Sequence, residues 1–462
     1  MANPGLDHVQ GNILAGFNKD EVLLLALGFG DQAAAKAWLQ RMANLVATHP
    51  EVAAFNALFK AVNGRRGGER GTVESVWLEL LLTGAGLEAL GVPSDQVGAI
   101  SQPLAQGMAA RADRLGDRQE SDPSKWIDPF GKNQIHAIVV VAADDEDDLL
   151  VEADRLEQLC SNHDLRVLWR DRGGTLPPPL TGHEHFGFKD GISQPTVDET
   201  DQTQLAHYLL GRAAAGQPDP WGNSAPALPP WAQDASLVAF RILHQEVQAF
   251  RSYASQHAGE IGLAPEALQA KLIGRWKSGA PLAKSPSADD PSLAGENSFD
   301  YSDDPDGNNA PRFAHIRKSY PRAQQPPGAT DSGNRRILRR GIPYGDPLPI
   351  EGATDAQAQA DRGLLFFCAQ ASIENQFEFI QQMWCNDPNF PHGPVQPVNT
   401  QYSPTPGIPA DGPDPIIGQH HGAGQDNFKP ANHQLLLQQF VTMRGGEYLV
   451  APSIDGLAAL GT

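Results

Sequence analysis

Short apolar runs alternate with amphipathic stretches through the first third of the chain. Val22–Leu27 (VLLLAL) is an apolar run of strand length, and Gln32–Val46 sets Ala35, Leu39, Met42 and Leu45/Val46 at helical spacing. Val73–Leu82 (VESVWLELLL) reads as a second strand followed by the short helical GAGLEALG, and Ile135–Ala142 (IHAIVVVA) as a third. The acidic run Asp144–Asp148 then stands where a helix N-terminus welcomes negative charge, with Leu149, Ala153, Leu156 and Cys160 continuing on one face. Leu165–Arg170 (LRVLWR) supplies a fourth strand. The order β-α-β-β-α-β is that of a ferredoxin-like sandwich, an antiparallel sheet with helices on one face. No G-x-G-x-x-G or G-x-x-x-x-G-K-[ST] follows any of these strands, so dinucleotide-binding and P-loop readings lose their main support.

Residues 212–236 hold five prolines and little periodicity, which predicts a boundary or a long connection. A similar rhythm follows: Leu237–Leu243 as a strand, Glu246–His257 as a helix, Ile337–Tyr344 and Gly363–Ala369 (GLLFFCA) as strands, Ile373–Trp384 as a helix, and Glu447–Ala451 as a last strand. Two long irregular stretches interrupt it, 278–312 and 386–433, the second with nine prolines between 388 and 415. Loops of that length inside a compact domain carry function or are disordered.

Charge and composition narrow the classes. Among 462 residues, 55 Asp plus Glu face 35 Lys plus Arg, a formal net charge of −20 that argues against nucleic acid or an anionic membrane as partner. Three cysteines, Cys160, Cys368 and Cys385, form no C-x-x-C, which leaves no zinc ribbon, thioredoxin-type pair or site for covalent haem. Such usage fits a reducing compartment. With neither a secretory leader pattern nor an apolar stretch of about 18 residues, a cytoplasmic protein is expected, export by another route remaining open.

Three segments could carry chemistry. His185–Pro195 (HFGFKDGISQP) puts Asp190 between Gly187 and Gly191, where a ligand could lie against the carboxylate or the Asp-Gly pair could simply make a turn. Arg312–Arg322 (RFAHIRKSYPR) sets His315 among Arg317, Lys318 and Arg322, suited to a neutral imidazole ligand beside anionic groups, or to an ordinary packed histidine. Arg335–Gly345 (RRILRRGIPYG) has four arginines in six residues. On a strand Arg339 and Arg340 point to opposite faces, one toward a pocket, unless the cluster only guards a sheet edge. A non-haem metal site is a weaker reading of His183-x-His185 with Glu184, or of His420–His421, since nothing fixes a third ligand.

These three segments, in order with VQGNILAGF (9–17), VAFRILHQEV (238–247), RGLLFFCAQASI (362–373) and DPIIG (414–418), resemble the dye-decolorising peroxidases, most of all the larger forms shared by fungi and bacteria. The resemblance covers essentially the whole chain. It implies an α+β protein of two ferredoxin-like units, dimeric α/β-barrel-like, with antiparallel sheets and peripheral helices. Residues 1–211 would form the N-terminal unit carrying the G-x-x-D-G motif, 212–236 the connection, and 237–462 the haem-binding unit. It implies one non-covalent haem b per chain and a peroxidase that uses hydrogen peroxide to oxidise dyes and phenolics. It puts Asp190 at the distal acid–base position, Arg339 at the distal arginine and His315 at the proximal iron ligand.

By the same likeness Asp414, with Asp387 second, partners the proximal histidine. Gly191, Ile192, Ser193, Arg317 and Arg322 border the haem, Leu365 and Phe367 form its apolar distal wall, and Tyr344 and Trp384 are surface electron-transfer candidates. Tyr320 departs from the pattern, where a small polar residue is expected. An ordinary carboxylate titrates near 3.9, so an aspartate as acid–base group leads to an expected acidic optimum with dyes. Mn²⁺ is a further candidate substrate, and a homodimer and an encapsulating shell protein are candidate partners. Two other classes stay open: a haem-binding or haem-delivery protein with little turnover, which needs His315 but not both Asp190 and Arg339, and a haem-free interaction module.

Overall fold

The computed structural model describes residues 5–65, 74–213, 218–223, 227–322, 332–391, 412–419, 425–428 and 433–462. Four strands make the first sheet: β1 (Glu21–Phe29), β2 (Trp77–Thr83), β3 (Ala137–Ala143) and β4 (Leu165–Gly174). They lie antiparallel in the order β2-β3-β1-β4, with Glu21 opposite Ala143 and Leu27 opposite Ala137. The second sheet contains β5 (Ser236–Gln245), β6 (Leu338–Arg339), β7 (Ile342–Tyr344) and β8 (Gly363–Gln370). Beyond a separate hairpin of β9 (Gln425–Phe428) and β10 (His433–Leu436), β11 (Val441–Ala451) completes that sheet beside β5. Each sheet thus has the ferredoxin-like order expected from the sequence.

The two sheets join at both edges. Gly173 of β4 pairs with Tyr344 of β7, and Leu449 and Val450 of β11 pair with Thr83 and Leu82 of β2. Because β5 also pairs with β8, the strands run in a closed ring. Closure explains the apolar runs: all seven residues of β3 are buried, since one face meets the peripheral helices and the other the inside of the ring.

The helix Glu146–Ser161 follows its sequence signals closely. Asp145 accepts the Asp148 N–H at 2.9 Å, acidic residues fill the first turn, and Leu149, Ala153, Leu156 and Cys160 are its buried residues. Gln32–Met42 is capped by Asp31 and stops four residues before the expected end, at a turn. A 17-residue helix, His49–Arg65, was not evident from the sequence. The segment expected as a helix from Ile373 is wound into two wide π-type turns, Ile373–Glu378 and Ile380–Cys385, with the Asn386 N–H reaching the Gln381 carbonyl at 2.9 Å. The stretch 278–312 is ordered around its own small core of Trp276, Ala280, Leu282, Tyr301 and Ala310. All three cysteines are buried and free.

Several buried ionisable groups make stability depend on pH. Burial pushes the Glu447 carboxyl on β11 up to about 8 and that of Glu79 on β2 up to about 7. Hydrogen bonds to Asp361 and Glu246 raise His244 to about 9. Each folded pKa lies above its unfolded value, so the native state holds more protons and stability falls as pH rises through that interval. His185, which burial pulls down to about 4, is neutral in both states above its ordinary 6.5 and adds nothing there. The melting temperature of the protein is therefore expected to fall between about pH 6.5 and 8, each group contributing at most roughly 1.4 kcal/mol per pH unit. Glu447→Gln should flatten that slope in calorimetric scans; an unchanged slope would refute the assignment.

Candidate active site

One large cavity, about 330 Å³, gathers residues from both halves of the sequence, among them Asp190, His315 and Arg339. Asp190 sits on a loop held from within by a half-buried carboxylate. Glu184 accepts the N–H groups of Phe186 and Phe188, each at 2.9 Å, and the Gln245 amide at 2.6 Å. Gly187 takes φ +94°, a conformation glycine adopts without strain, and lets the chain turn back so that the Asp190 N–H reaches the Gly182 carbonyl at 3.1 Å. The Asp190 carboxylate is left half exposed toward the cavity, with Oδ1 accepting the Gly191 N–H at 2.6 Å and lying 3.6 Å from Arg339 Nη1. Gln194 clamps the arginine in turn: its Oε1 accepts the Arg339 N–H at 3.1 Å and its Nε2 donates to the Arg339 carbonyl at 3.0 Å.

His315 opens a short helical turn, His315–Ser319. Its Nδ1 bonds Asp414 Oδ2 at 2.8 Å, while Asp414 Oδ1 accepts the N–H groups of Ile416 and Ile417 at 2.8 and 3.0 Å. Burial by itself would pull the imidazole down, but the charge and hydrogen bond of Asp414 outweigh it and leave its pKa raised. The same pairing holds the Asp414 carboxyl below its usual range against its own burial. With Nδ1 engaged, Nε2 is the nitrogen left for the cavity. Asp387, the second candidate partner, is occupied otherwise: its carbonyl accepts from Lys318 and its carboxylate from the Asn389 N–H.

Gly191, Ile192, Ser193 and Arg322 line the cavity, and Arg275, Arg335 and Arg336 join them. Arg317 does not. Its guanidinium is buried against Asp304, the Ala310 carbonyl and the Tyr301 ring, 4.3 Å from the ring centre, as a support for the loop 301–310. On a helical turn a residue two positions after His315 points about 200° away from it. Tyr320 lies on the cavity wall, its ring against the guanidinium groups of Arg322 and Arg336.

The apolar wall is likewise corrected. Leu364 and Phe366 face the cavity, whereas Leu365 and Phe367 face the barrel core, where Phe367 stacks on Phe240 at 4.5 Å. Alternation along β8 puts the two pairs on opposite faces, and it is Leu364 and Phe366, not the expected Leu365 and Phe367, that form the apolar wall of the cavity.

The non-haem metal reading finds no support among the described residues. His185 is buried with Nε2 on the Tyr344 carbonyl, His183 bonds the Thr181 carbonyl, and neither belongs to a convergent cluster of metal-binding groups. His420 and His421 lie outside the described residues. Carboxylates converge among the described residues at exposed Glu74, Asp145 and Asp148, none of which lines the cavity, and nothing there points to manganese.

Comparison with known proteins gives the chain's family. Residues 8–171 match the family model of the DyP dimeric alpha+beta barrel domain, and residues 181–392 that of the Dyp-type peroxidase C-terminal region. A dye-decolorizing peroxidase of Mycena epipterygia is 32% identical over 500 residues, covering 98% of this chain and 86% of its own. The chain belongs to the dye-decolorising peroxidase family. A multifunctional dye peroxidase of an Amycolatopsis species is 30% identical over 483 residues, 98% of this chain and 96% of its own. The solved structure of a variant dye-decolorizing peroxidase from Pleurotus ostreatus, 31% identical, covers 100% of both chains with a TM-score of 0.85.

Dye-decolorising peroxidases are haem enzymes, and this member is a peroxidase with the family's α+β barrel. The two aromatics expected at its surface are buried. Tyr344 packs in the core with its hydroxyl on Asp361 at 3.1 Å, and Trp384 stands in the cavity wall stacked on Phe390. The two faces of β8 give a test of the cavity's extent. Phe366→Ala should weaken haem retention and shift the haem spectrum at modest cost in stability. Phe367→Ala should instead lose roughly 3–5 kcal/mol of stability with the spectrum unchanged. Urea unfolding and haem titration separate these outcomes, and reversed results would refute the assignment.

Proposed function

We propose that this chain binds one haem b non-covalently through His315 Nε2 and uses hydrogen peroxide to oxidise dyes and phenolics. The observation that supports this most is the His315–Asp414 pair, 2.8 Å apart, sharing one cavity with the Asp190–Arg339 pair at 3.6 Å. The remaining lining suits the group. Ile273, Ile316, Leu364, Phe366, Ile380 and Ile416 offer apolar surface to a macrocycle, and Arg275, Arg322, Arg335 and Arg336 offer cations to its two carboxylates.

When bound, the haem supplies the iron on which peroxide is reduced. The chain's own groups do the rest. Asp414 fixes the tautomer of His315 and keeps its Nε2 free as a donor to metal. The Asp190 carboxylate takes a proton from a peroxide molecule beside it and returns it to the departing oxygen. Arg339 provides a positive charge where negative charge grows as the O–O bond lengthens, and Gln194 holds the backbone from which it projects.

A haem-delivery protein needs the histidine but not the distal carboxylate and guanidinium, and the presence of both together favours turnover. An absorption spectrum of the protein purified with haem, before and after one equivalent of hydrogen peroxide, tests the reading. A Soret band that changes rapidly on mixing is expected. A band without a fast change would favour delivery, and no band at all would overturn haem binding. A 2,6-dimethoxyphenol complex is known for a structure 30% identical to this chain, so that phenol is the first reductant to assay.

A further inference from the structure

The N-terminal segment VQGNILAGF lies outside the cavity lining, yet it grips the residue beside Arg339. The guanidinium of Arg340 donates through Nε to the Asn12 carbonyl at 2.7 Å and through Nη2 to those of Ile13 and Leu14 at 2.8 and 3.0 Å. These carbonyls end the helical turn Gly11–Leu14, where free acceptors attract a cation. Arg340 Nη1 donates back to the Arg339 carbonyl at 3.0 Å, so one guanidinium ties the turn to the arginine's own backbone.

The turn is itself anchored. The Gln10 amide spans the Leu80 and Pro452 carbonyls, each at 2.8 Å, while its oxygen accepts the Leu80 N–H at 2.9 Å. Asn12 donates to the buried Glu79 carboxylate at 2.7 Å and accepts the Phe17 N–H at 3.1 Å. Gly16, at φ +73°, is where a Cβ would come within 3.1 Å of Arg340 Nε, so a side chain there would crowd the guanidinium. Such anchoring adds to a short strand: β6 is only two residues long, its register with β8 covers Leu338 and Arg339, and the Arg340 N–H reaches the Phe367 carbonyl at 2.8 Å. Beyond that ladder the Arg339 backbone is held by Gln194 and, through the Arg340 guanidinium, by the turn.

We propose that segment 9–17, fixed by Gln10, Asn12 and Glu79, is a positioning element for Arg339 that acts through Arg340. The inference rests on the distal role of Arg339 given above. Arg340 and Asn12 are positioning residues, outside the cavity lining, and they act by holding the backbone from which Arg339 projects.

Two readouts test it. In the haem-loaded protein, fluoride is an anionic probe that needs a donor beside the iron, and imidazole is a neutral control that does not. Arg340→Met and Asn12→Ala are expected to weaken fluoride binding roughly tenfold while leaving imidazole binding unchanged, with Arg340→Lys intermediate. In the haem-free protein, backbone hydrogen exchange over 338–344 should quicken in the same variants. Glu79→Gln, which keeps an acceptor for Asn12, should stay near wild type in both. If Arg339→Leu weakens fluoride but Arg340→Met and Asn12→Ala do not, and exchange is unaltered, the positioning role is overturned and the distal role stands. If Arg339→Leu itself leaves fluoride binding unchanged, the distal role falls and the positioning role with it. Should Arg340→Met fail to fold, Asn12→Ala and Arg340→Lys carry the same comparison.

Discussion

Asp190→Asn in the haem-loaded protein slows the reaction with hydrogen peroxide by roughly 10²–10⁴-fold, the range expected when a positioned acid–base group is removed. Asparagine keeps the shape of the side chain and an oxygen for the Gly191 N–H that Asp190 now accepts at 2.6 Å, so the loop is retained. The amide cannot take up a proton in this pH range, and its loss of charge removes the partner 3.6 Å from Arg339. Haem affinity and the resting spectrum should therefore match wild type while the stopped-flow rate collapses. A rate within threefold of wild type would reject Asp190 as the proton carrier. Because Glu184 organises the loop through the Phe186 and Phe188 N–H groups, a variant there that slowed the reaction would act by displacing Asp190.

Asp414→Asn should cost haem affinity about 10–100-fold, the usual scale for removing the partner of a metal-bound histidine. The carboxylate serves His315 Nδ1–H on one oxygen and the Ile416 and Ile417 N–H groups on the other. An asparagine has one oxygen. With that oxygen kept for the backbone, its NH₂ faces Nδ1 and stabilises the tautomer with the proton on Nε2, which then has no lone pair for iron. With the amide flipped, the NH₂ opposes two N–H donors in a site with no access to water, at a cost of roughly 1–3 kcal/mol for each polar group left unmade. Haem titration into haem-free protein, together with the position of the Soret band, measures the effect. Wild-type affinity and spectrum in the variant would sink the tautomer argument.

The strands of the barrel were legible because their signals are local, and the four residues Asp190, His315, Arg339 and Asp414 could be brought together only through the motifs that carry the family resemblance, each fragment by itself fitting a plain turn, a packed histidine or a sheet edge as well. Apolar runs of strand length, an acidic run at a helix start and the G-x-x-D-G loop depend little on the rest of the fold. What failed depends on which way a side chain points. GLLFFCA is apolar throughout because β8 is covered on both faces, so alternation gives no clue to whether Leu365 and Phe367 or Leu364 and Phe366 meet the cavity. Arg317 stands two residues from His315 in sequence, but a helical turn sends it into the Asp304 loop. Arg275, among the cavity-lining arginines not foreseen, lies in no motif used; its side chain is placed by the Gly279 and Glu296 carbonyls of the irregular loop that follows it. The helix His49–Arg65 has only a weak apolar stripe, so periodicity could not reveal it.

The ring of strands also orders events during synthesis. Of the described strands, β11 is the last to be translated, and it is the one that lies between β5 and β2. Until it emerges from the ribosome, β2 and β5 each present an unpaired edge of mostly buried apolar residues, a template for pairing with a neighbouring nascent chain. A message broken before Val441 therefore yields a product with two sticky edges rather than a protein short of one strand, and such fragments should be recovered in aggregates or bound to chaperones.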